Sequence, residues 1–526
     1  VSLRFAEVLQ GGPLASEGPI YTENLRSAKQ TDGVILAGAE AGEWFEPKFT
    51  FHGFRYCEIS GADESQILEI EAVVLHTDNR ETGGFSCSDE LVTQLQKNIE
   101  WGWRGNSVDV PTDCPQRDER LGWTGDAQVF VRTSAFLCDT AAFWREWARD
   151  VADAQTALGG VPCVVPDVQM LSDPTTDAFG GASADGGPAW ADAALICPWT
   201  TYRVYGDTRL LEENYPVFER YVAFLQSTAR DGIRCYDGCD YFQGFGDWLA
   251  LNGSGKTDGG THRDLLGTAF FAHSADLLSR IAHVLGKTED AARYKALFQT
   301  VKNAFINRFV TREGLLCPPY QTPYLLALEF NLLPEELREN AARELVREIG
   351  RRDGKLSTGF VGSPYINHVL TREGHLNQAY ALLHQKGWPS WLYAVTRGAT
   401  TIWERWDGWT EENGFQDVGM NSFNHYAYGA VGAWLYQVVA GIELDDEIAG
   451  YKRFKLAPKP GGELTWAKAH LDTLHGRIES GWEIAGEKLK YRFVVPPNTR
   501  AEVELPDGTR FQAGAGTHSG EIEWTK

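Results

Sequence analysis

Residues 113–126 are the part of this chain best suited to chemistry, and their sequence is DCPQRDERLGWTGD. The segment combines four carboxylates, two guanidinium groups and one tryptophan with proline and glycine, and helix-like periodicity flanks it on both sides. Loops held by a rigid scaffold commonly carry catalytic and binding groups. This composition therefore indicates a catalytic pocket rather than a solvated charged turn.

Such a cluster suits acid–base catalysis on a neutral polar substrate. Carboxylates that lie close together and near an indole cannot all stay ionised, so the pKa of at least one of them rises and that group can donate a proton near neutral pH. We expect Glu119 to be this acid. Asp118 is the competing candidate, and its structural alternative is an ion pair with Arg120.

The neighbours of Glu119 suit recognition of a sugar. Asp113 and Asp126 could accept hydrogen bonds from sugar hydroxyls. Arg117 could fork across two adjacent hydroxyls, and Trp123 could cover an apolar sugar face. The segment thus offers both an acid and a set of groups that bind its substrate.

A second carboxylate, needed for hydrolysis, lies far along the chain in residues 398–409. Glu404 stands there between Trp403 and Trp406, which could wall a partly dry slot suited to a general base. The structural alternative is an acidic residue at the end of a Trp-rich core helix. Further on, His425 lies near the start of a helix-like run, where a histidine is more often a cap or a core group.

These segments together resemble the inverting α-L-rhamnosidases of glycoside hydrolase family 78. The runs at 113–126, 400–408 and 422–427 are similar to three signatures of that family and occur in the family's order. The resemblance implies that Glu119 is the general acid and Glu404 the general base, with no metal and no organic cofactor. It also implies that the rhamnose pocket is lined by Asp113, Arg117, Trp123, Asp126 and His425. Trp190 and Trp248 are similar to the family's aromatic pocket walls, with core packing as the alternative.

Composition excludes several classes of partner. A formal net charge of −23 and a pI near 5.0 argue against nucleic acid and anionic membranes, because the field of the protein repels phosphate. No apolar run approaches the roughly twenty residues of a membrane span. The 9 cysteines are mostly scattered, which predicts free thiols in a reducing compartment. With no signal-like segment at the start, we expect a cytoplasmic protein.

The pattern of elements predicts three domains. Period-two alternation in residues 1–5, 49–59 and 68–72 predicts an N-terminal β-sandwich over 1–85, either compact or trimmed upstream. Amphipathic helix pairs separated by glycine and proline breaks predict a helical domain over 86–440, which the family resemblance makes an (α/α)6 barrel. Alternation around residues 489–505 predicts a C-terminal β-sandwich over 441–526. Both β-regions are expected only to brace the barrel.

We therefore expect an exo-acting, inverting α-L-rhamnosidase, whose partner is a rhamnose-containing glycoside. The alternatives are another (α/α)-barrel glycosidase or lyase, and a non-catalytic carbohydrate-binding protein. The acidic field disfavours polyanionic substrates, so small flavonoid or terpenoid rhamnosides are the expected substrates.

Overall fold

The computed structural model describes residues 1–168, 185–252 and 257–524. The helices are α1 (Glu90–Asn106), α2 (Thr124–Leu137), α3 (Ala141–Ala154), α4 (Ala193–Tyr205), α5 (Thr208–Ser227), α6 (Arg263–Val284), α7 (Thr288–Phe309), α8 (Gln321–Glu329), α9 (Glu335–Gly350), α10 (Ser363–Arg372), α11 (Leu376–Leu383), α12 (Trp391–Thr396) and the short α13 (Gly432–Trp434).

The strands fall at the two ends of the chain and between helices. They are β1 (Ser2–Ala6), β2 (Val8–Leu9), β3 (Ile20–Tyr21), β4 (Thr31–Gly33), β5 (Tyr56–Ser60), β6 (Gly83–Cys87), β7 (Ser107–Val108), β8 (Val110–Pro111), β9 (Trp409–Thr410), β10 (Gly414–Phe415), β11 (Ile442–Leu444), β12 (Arg453–Leu456), β13 (Trp466–Thr473), β14 (Gly476–Ala485), β15 (Lys488–Val495), β16 (Arg500–Glu504), β17 (Arg510–Ala513) and β18 (Gly516–Glu523).

The helices form a closed double ring. In the inner ring each element packs on the next, in the order α2, α4, α6, α8, α10 and the 3-10 turn Tyr426–Val431, which packs on α2 again. The outer helices α1, α3, α5, α7, α9 and α11 pack against these. Inner helices such as α2 and α8 are buried almost throughout, as a helix enclosed on all sides must be. The predicted (α/α)6 barrel is confirmed.

Local sequence explains most helix ends. The Asp89 carboxylate accepts hydrogen bonds from the backbone N–H groups of Leu91 and Val92, which caps α1. Gly206 ends α4 in the left-handed region at φ 75°, and Asp207 caps α5. Helices α2 and α3 begin at Thr124 and Ala141. Asp126 therefore lies in the first turn of α2.

The C-terminal region is a pair of sheets, as predicted. One has the strand order β18-β15-β14-β13-β6 and is antiparallel throughout, whereas the other has the order β11-β12-β16-β17 and contains one parallel pair, β12 with β16. Strand β6 precedes the barrel in sequence but pairs with β13. The predicted domain boundary at 85/86 thus falls within a strand of the C-terminal sheet.

The N-terminal region forms fewer strands than the alternation predicted. β1 and β5 pair antiparallel with each other, and β4 pairs with β1. Residues 49–51 and 68–72 are not strands. Leu68 and Ile70 are exposed and have no neighbouring strand among the described residues. An alternating pattern shows that a segment is compatible with a sheet, but a strand forms only where a partner supplies the backbone hydrogen bonds.

Two predictions from composition concern the whole chain. The nine cysteines all lie in the described ranges and form no disulfide with one another. Within the described ranges, every helix is too short or too polar to cross a bilayer.

Candidate functional site

The predicted site residues meet at a cavity of about 440 Å³ on the barrel. It is lined by Arg26, Arg117, Asp118, Glu119, Leu121, Trp123, Asp126, Trp190, Phe245, Trp248, Phe360, Glu404, Met420 and His425. Of the residues predicted from sequence, only Asp113 is outside this lining. The two proposed catalytic carboxylates, far apart in the chain, therefore face one pocket.

Arg117 joins these two carboxylates. Its Nη1 donates to Glu404 Oε2 at 2.8 Å and its Nη2 to Glu404 Oε1 at 3.1 Å, a bidentate pair. The same Nη2 lies 2.8 Å from Glu119 Oε2. Arg117 is fully buried, so its fork is engaged by protein carboxylates and not by sugar hydroxyls as the sequence suggested.

Glu404 is a buried, ionised carboxylate. Burial acts to raise its pKa, but the Arg117 guanidinium, His425 and a hydrogen bond from the backbone N–H of Ser422 lower the pKa to about 2. Trp403 and Trp406 do not wall the cavity, contrary to the sequence interpretation. Trp403 packs edge-on against Phe423 and Trp406 stacks on Tyr428, so both hold the backbone around Glu404.

His425 lies between two carboxylates. Its Nε2 is 2.9 Å from Asp126 Oδ1, and both side chains are buried. Burial acts to lower its pKa, but Glu404 and Asp126 raise the pKa to about 9. The imidazolium form therefore persists at neutral pH and balances part of the negative charge in the pocket.

Asp113 binds Leu121 through its side chain and its backbone, and these contacts shape the 113–126 segment. Its carboxylate accepts a hydrogen bond from the backbone N–H of Leu121 at 2.8 Å, while its own N–H donates to the carbonyl of Leu121. It is fully buried behind Arg117, 3.6 Å from Nη2. Burial and the nearby charge of Glu119 raise the pKa of Asp113 to about 7. The crowding of the segment predicted a raised carboxyl pKa on Glu119, whereas the raised pKa found here is that of Asp113.

Asp118 is held away from the acid role. It pairs with Arg26, at 2.6 Å between Oδ1 and Nε, and accepts hydrogen bonds from the N–H and hydroxyl of Ser27. Burial acts to raise its pKa, but these contacts lower it overall. Arg120, the predicted partner of Asp118, instead donates to the carbonyls of Arg117 and Phe51.

An aromatic cluster forms one wall of the cavity. Phe245 lies at its centre, with ring centroids 5.5 Å from Trp123, 4.9 Å from Trp190 and 5.8 Å from Trp248. Gly125 allows this packing, because a Cβ there would lie 2.4 Å from the Trp190 indole. Trp190 and Trp248 therefore line the cavity, and each also packs against the Phe245 ring.

A buried aspartate positions Trp248. The Asp247 carboxylate accepts hydrogen bonds from the backbone N–H groups of Gly359, Val361 and Gly362. The carbonyl of Trp248 accepts from the N–H of Phe360 at 2.9 Å. Phe360 in turn lies 5.6 Å from the His425 ring, so one turn connects the aromatic wall to the charged side of the pocket.

Sequence reasoning missed the contribution of the N-terminal region. Arg26 Nη2 binds Glu119 Oε2 at 2.9 Å, and Nη1 donates to the carbonyl of Gly419. Glu7 is buried beneath the site and accepts from Gln116, which also donates to the hydroxyl of Ser422. Burial raises the pKa of Glu7 to about 7. Neither residue belongs to a motif; Glu7 stands between two apolar residues, Ala6 and Val8, whereas the residues around Arg26 give no signal.

The described residues contain one group of potential metal ligands. Asp113, Cys114 and Glu119 offer ligand atoms within 4.8 Å of one another. Arg117 Nη2, however, contacts both carboxylates, at 3.6 and 2.8 Å, so a cation at this point would be repelled by the guanidinium. The donor set fits an ion-pair network better than a metal.

Three family models cover almost the whole chain. Residues 80–439 match the bacterial α-L-rhamnosidase 6 hairpin glycosidase domain, residues 441–520 the bacterial α-L-rhamnosidase C-terminal domain, and residues 1–76 the bacterial α-L-rhamnosidase concanavalin-like domain.

Individual relatives agree with the models. An α-L-rhamnosidase of Formosa agariphila is 45% identical over 513 residues, which is 96% of this chain and 52% of that protein. The crystal structure of Streptomyces avermitilis α-L-rhamnosidase complexed with L-rhamnose aligns with a TM-score of 0.89 and 40% identity, covering 99% of this chain and 49% of the other. That of the Aspergillus terreus enzyme gives 0.89 and 35%, covering 100% and 59%. The chain spans about half the length of the curated relatives it matches.

Proposed function

The chain belongs to the bacterial α-L-rhamnosidase family, and from that membership and the geometry of the pocket we propose that it hydrolyses terminal α-L-rhamnosides with inversion at the anomeric carbon. The observation that carries the proposal is the convergence of Glu119 and Glu404 on one buried guanidinium, at one side of an aromatic-walled pocket. The substrate is a glycoside with rhamnose at its non-reducing end.

The two carboxylates divide the work by their surroundings. Glu404 is 1% exposed and ionised, so it can accept a proton from a water that attacks the anomeric carbon. The side chain of Glu119 is 15% exposed, nearer the mouth, where it can reach the glycosidic oxygen and protonate the leaving group. Inverting hydrolysis needs an acid and a base in these two positions.

The separation of the carboxylates bears on stereochemistry. Glu119 Oε2 and Glu404 Oε1 lie 2.8 and 3.1 Å from the same Arg117 nitrogen. These two oxygens are therefore at most about 6 Å apart, which is shorter than the about 6.5 to 9.5 Å of inverting pairs and does not separate them from the about 5 to 5.5 Å of retaining pairs. The assignment of inversion rests on family membership, and the product anomer decides it.

The aromatic wall of the cavity suits rhamnose. Its C6 methyl group and the apolar face of its ring match the cluster of Trp123, Phe245 and Trp248. Asp126 and His425, at the other side, offer charged hydrogen-bonding groups to the ring hydroxyls.

The experiment is a screen of p-nitrophenyl glycosides followed by proton NMR of a fresh reaction. We expect activity on the α-L-rhamnoside, with β-L-rhamnose appearing before mutarotation. If α-L-rhamnose appears first, Glu404 acts as a nucleophile and not as a base. If no rhamnoside is cleaved but rhamnose still binds, the chain is a carbohydrate-binding protein.

A further inference from the structure

A second cavity, of about 370 Å³, adjoins the catalytic pocket at Arg117, Asp118 and Glu119. We call it the second cleft. Its other lining residues come mostly from the N-terminal region and are Ala28, Lys29, Gln30, Thr31, Asp32, Thr50, His52 and Arg120. Glu119 therefore lines two cavities, one mainly in the barrel and the other mainly in the N-terminal region.

We propose that the second cleft is the subsite for the leaving group, and that it takes a neutral sugar ring. The proposal rests on the proposed function, in which Glu119 protonates the glycosidic oxygen. That oxygen joins rhamnose to its leaving group, so both must touch the acid. With rhamnose against the aromatic wall, the leaving group lies on the opposite side of Glu119, where the second cleft begins.

Three lining residues of the second cleft carry a buried polar atom that has no hydrogen-bond partner among the described residues. Gln30 is 5% exposed, and its Oε1 has no hydrogen-bond partner among the described residues; the same holds for Asp32 Oδ2 and His52 Nδ1. The His52 ring stacks on Phe5 at 4.4 Å and its Nε2 lies 3.0 Å from Asp32 Oδ1, so these groups are fixed in place. Buried polar atoms are normally satisfied, and sugar hydroxyls can both donate and accept.

The lining also distinguishes between kinds of leaving group. Lys29 and Arg120 are cationic, whereas Asp32 and Asp118 are anionic, so the lining favours neither a polyanion nor a polycation. Apart from the His52 imidazole, none of the lining side chains carries a ring on which a flat aromatic group could stack. This chemistry fits a hydroxylated sugar better than the flavonoid aglycone that the net charge had suggested.

The test compares two substrates whose leaving groups are both alcohols. Methyl α-L-rhamnoside has a leaving group too small to fill the second cleft, and neutral α-L-rhamnosyl-glucose disaccharides place a sugar there. Thr31→Trp fills the cleft, and Lys29→Ala removes a hydrogen-bond donor; both side chains are exposed. The matched controls are Thr517→Trp and Lys490→Ala, exposed positions on the C-terminal sheet.

The measured quantity is the ratio of kcat/KM for the best disaccharide to kcat/KM for methyl rhamnoside. We expect Thr31→Trp to lower this ratio about 10-fold and Lys29→Ala to lower it several-fold, as the loss of one or two contacts with the sugar would do. The controls should leave the ratio unchanged. Equal effects on both substrates would overturn the subsite and leave the proposed function standing. A larger loss on a flavonoid rhamnoside than on the disaccharides would overturn the assignment to a sugar. Inactivity of the unsubstituted chain on every rhamnoside would overturn both proposals.

Discussion

The bidentate pair between Arg117 and Glu404 makes a quantitative prediction. Arg117→Met removes the guanidinium but keeps a side chain of similar length, which leaves Glu404 as a buried carboxylate without its main cation. Breaking a buried pair from one side typically costs about 3 to 5 kcal/mol, because the remaining charge is uncompensated. Glu404→Gln keeps the shape and removes the charge, so the two substitutions together should be less harmful than their sum.

The magnitude follows from the pKa of Glu404. Burial opposes ionisation, yet Arg117 and His425 lower the pKa from 4.5 to about 2. This difference corresponds to about 3 kcal/mol in favour of the ionised form. Since the folded-state pKa is lowered, the stabilisation is fully present above pH 4.5 and disappears as the pH falls towards 2. At pH 7 the whole effect should be measurable.

The assay is a double-mutant cycle by urea unfolding at pH 7. We expect Arg117→Met to lower the free energy of unfolding by about 3 kcal/mol or more, and the double variant to fall short of additivity by about 3 kcal/mol. Arg145→Met is the control, because Arg145 makes partly exposed ion pairs with Asp207 and Glu213 and should cost at most about 1 kcal/mol. Additivity of the Arg117 and Glu404 substitutions to within about 0.5 kcal/mol would refute the reasoning.

Three further predictions concern the acid, the sugar and pH. Glu119→Gln should lower kcat/KM about 100-fold for methyl rhamnoside but less for p-nitrophenyl rhamnoside, whose leaving group needs little protonation; equal losses would reopen the case for Asp118. Trp123→Ala should raise the inhibition constant of free rhamnose about 10-fold with little change in Tm, and unfolding instead would show a core role. Glu404 and Asp126 raise the pKa of His425 to about 9, although burial acts to lower it. Protonated His425 therefore stabilises the folded protein fully below pH 6.5, and this stabilisation is lost as the pH rises through 9. The unfolding free energy should fall by about 3 kcal/mol over that range, and an equal fall in His425→Gln would contradict the assignment.

Much of the fold was predictable because local sequence determines it. The breaks at Gly206, Gly286, Pro334 and Gly374 separate consecutive helices where glycine and proline predicted them. Strands β15 and β16 lie where the alternation placed them, with the turn at Asp507 between β16 and β17. Failures occurred where long-range pairing decides: the segment at 68–72 has strand-like sequence without a strand beside it.

The candidate site was likewise predicted where neighbouring residues determine it and missed where long-range contacts do. The composition of the 113–126 segment and of the segment around Glu404 predicted residues that the structure brings together at one cavity, because both segments are dense in groups that rarely cluster without function. Sequence could not show that Arg117 binds Glu404 rather than substrate, since their pairing spans 287 positions. It could not show that Arg26 binds Glu119, because only the placement of the N-terminal region on the barrel brings them together.

The N-terminal region is therefore part of the proposed catalytic apparatus and not only a brace for the barrel, as the sequence had suggested. Arg117 fixes both oxygens of Glu404, whereas the described contacts of Glu119 are made through Oε2, with Arg117 from the barrel side and Arg26 from the N-terminal side. A base that must aim at one water benefits from a rigid, buried carboxylate, while an acid must meet leaving groups of different shape. The same region that holds Glu119 also lines the second cleft with Lys29 and His52. The element that positions the acid is thus also the element that can select what the acid releases.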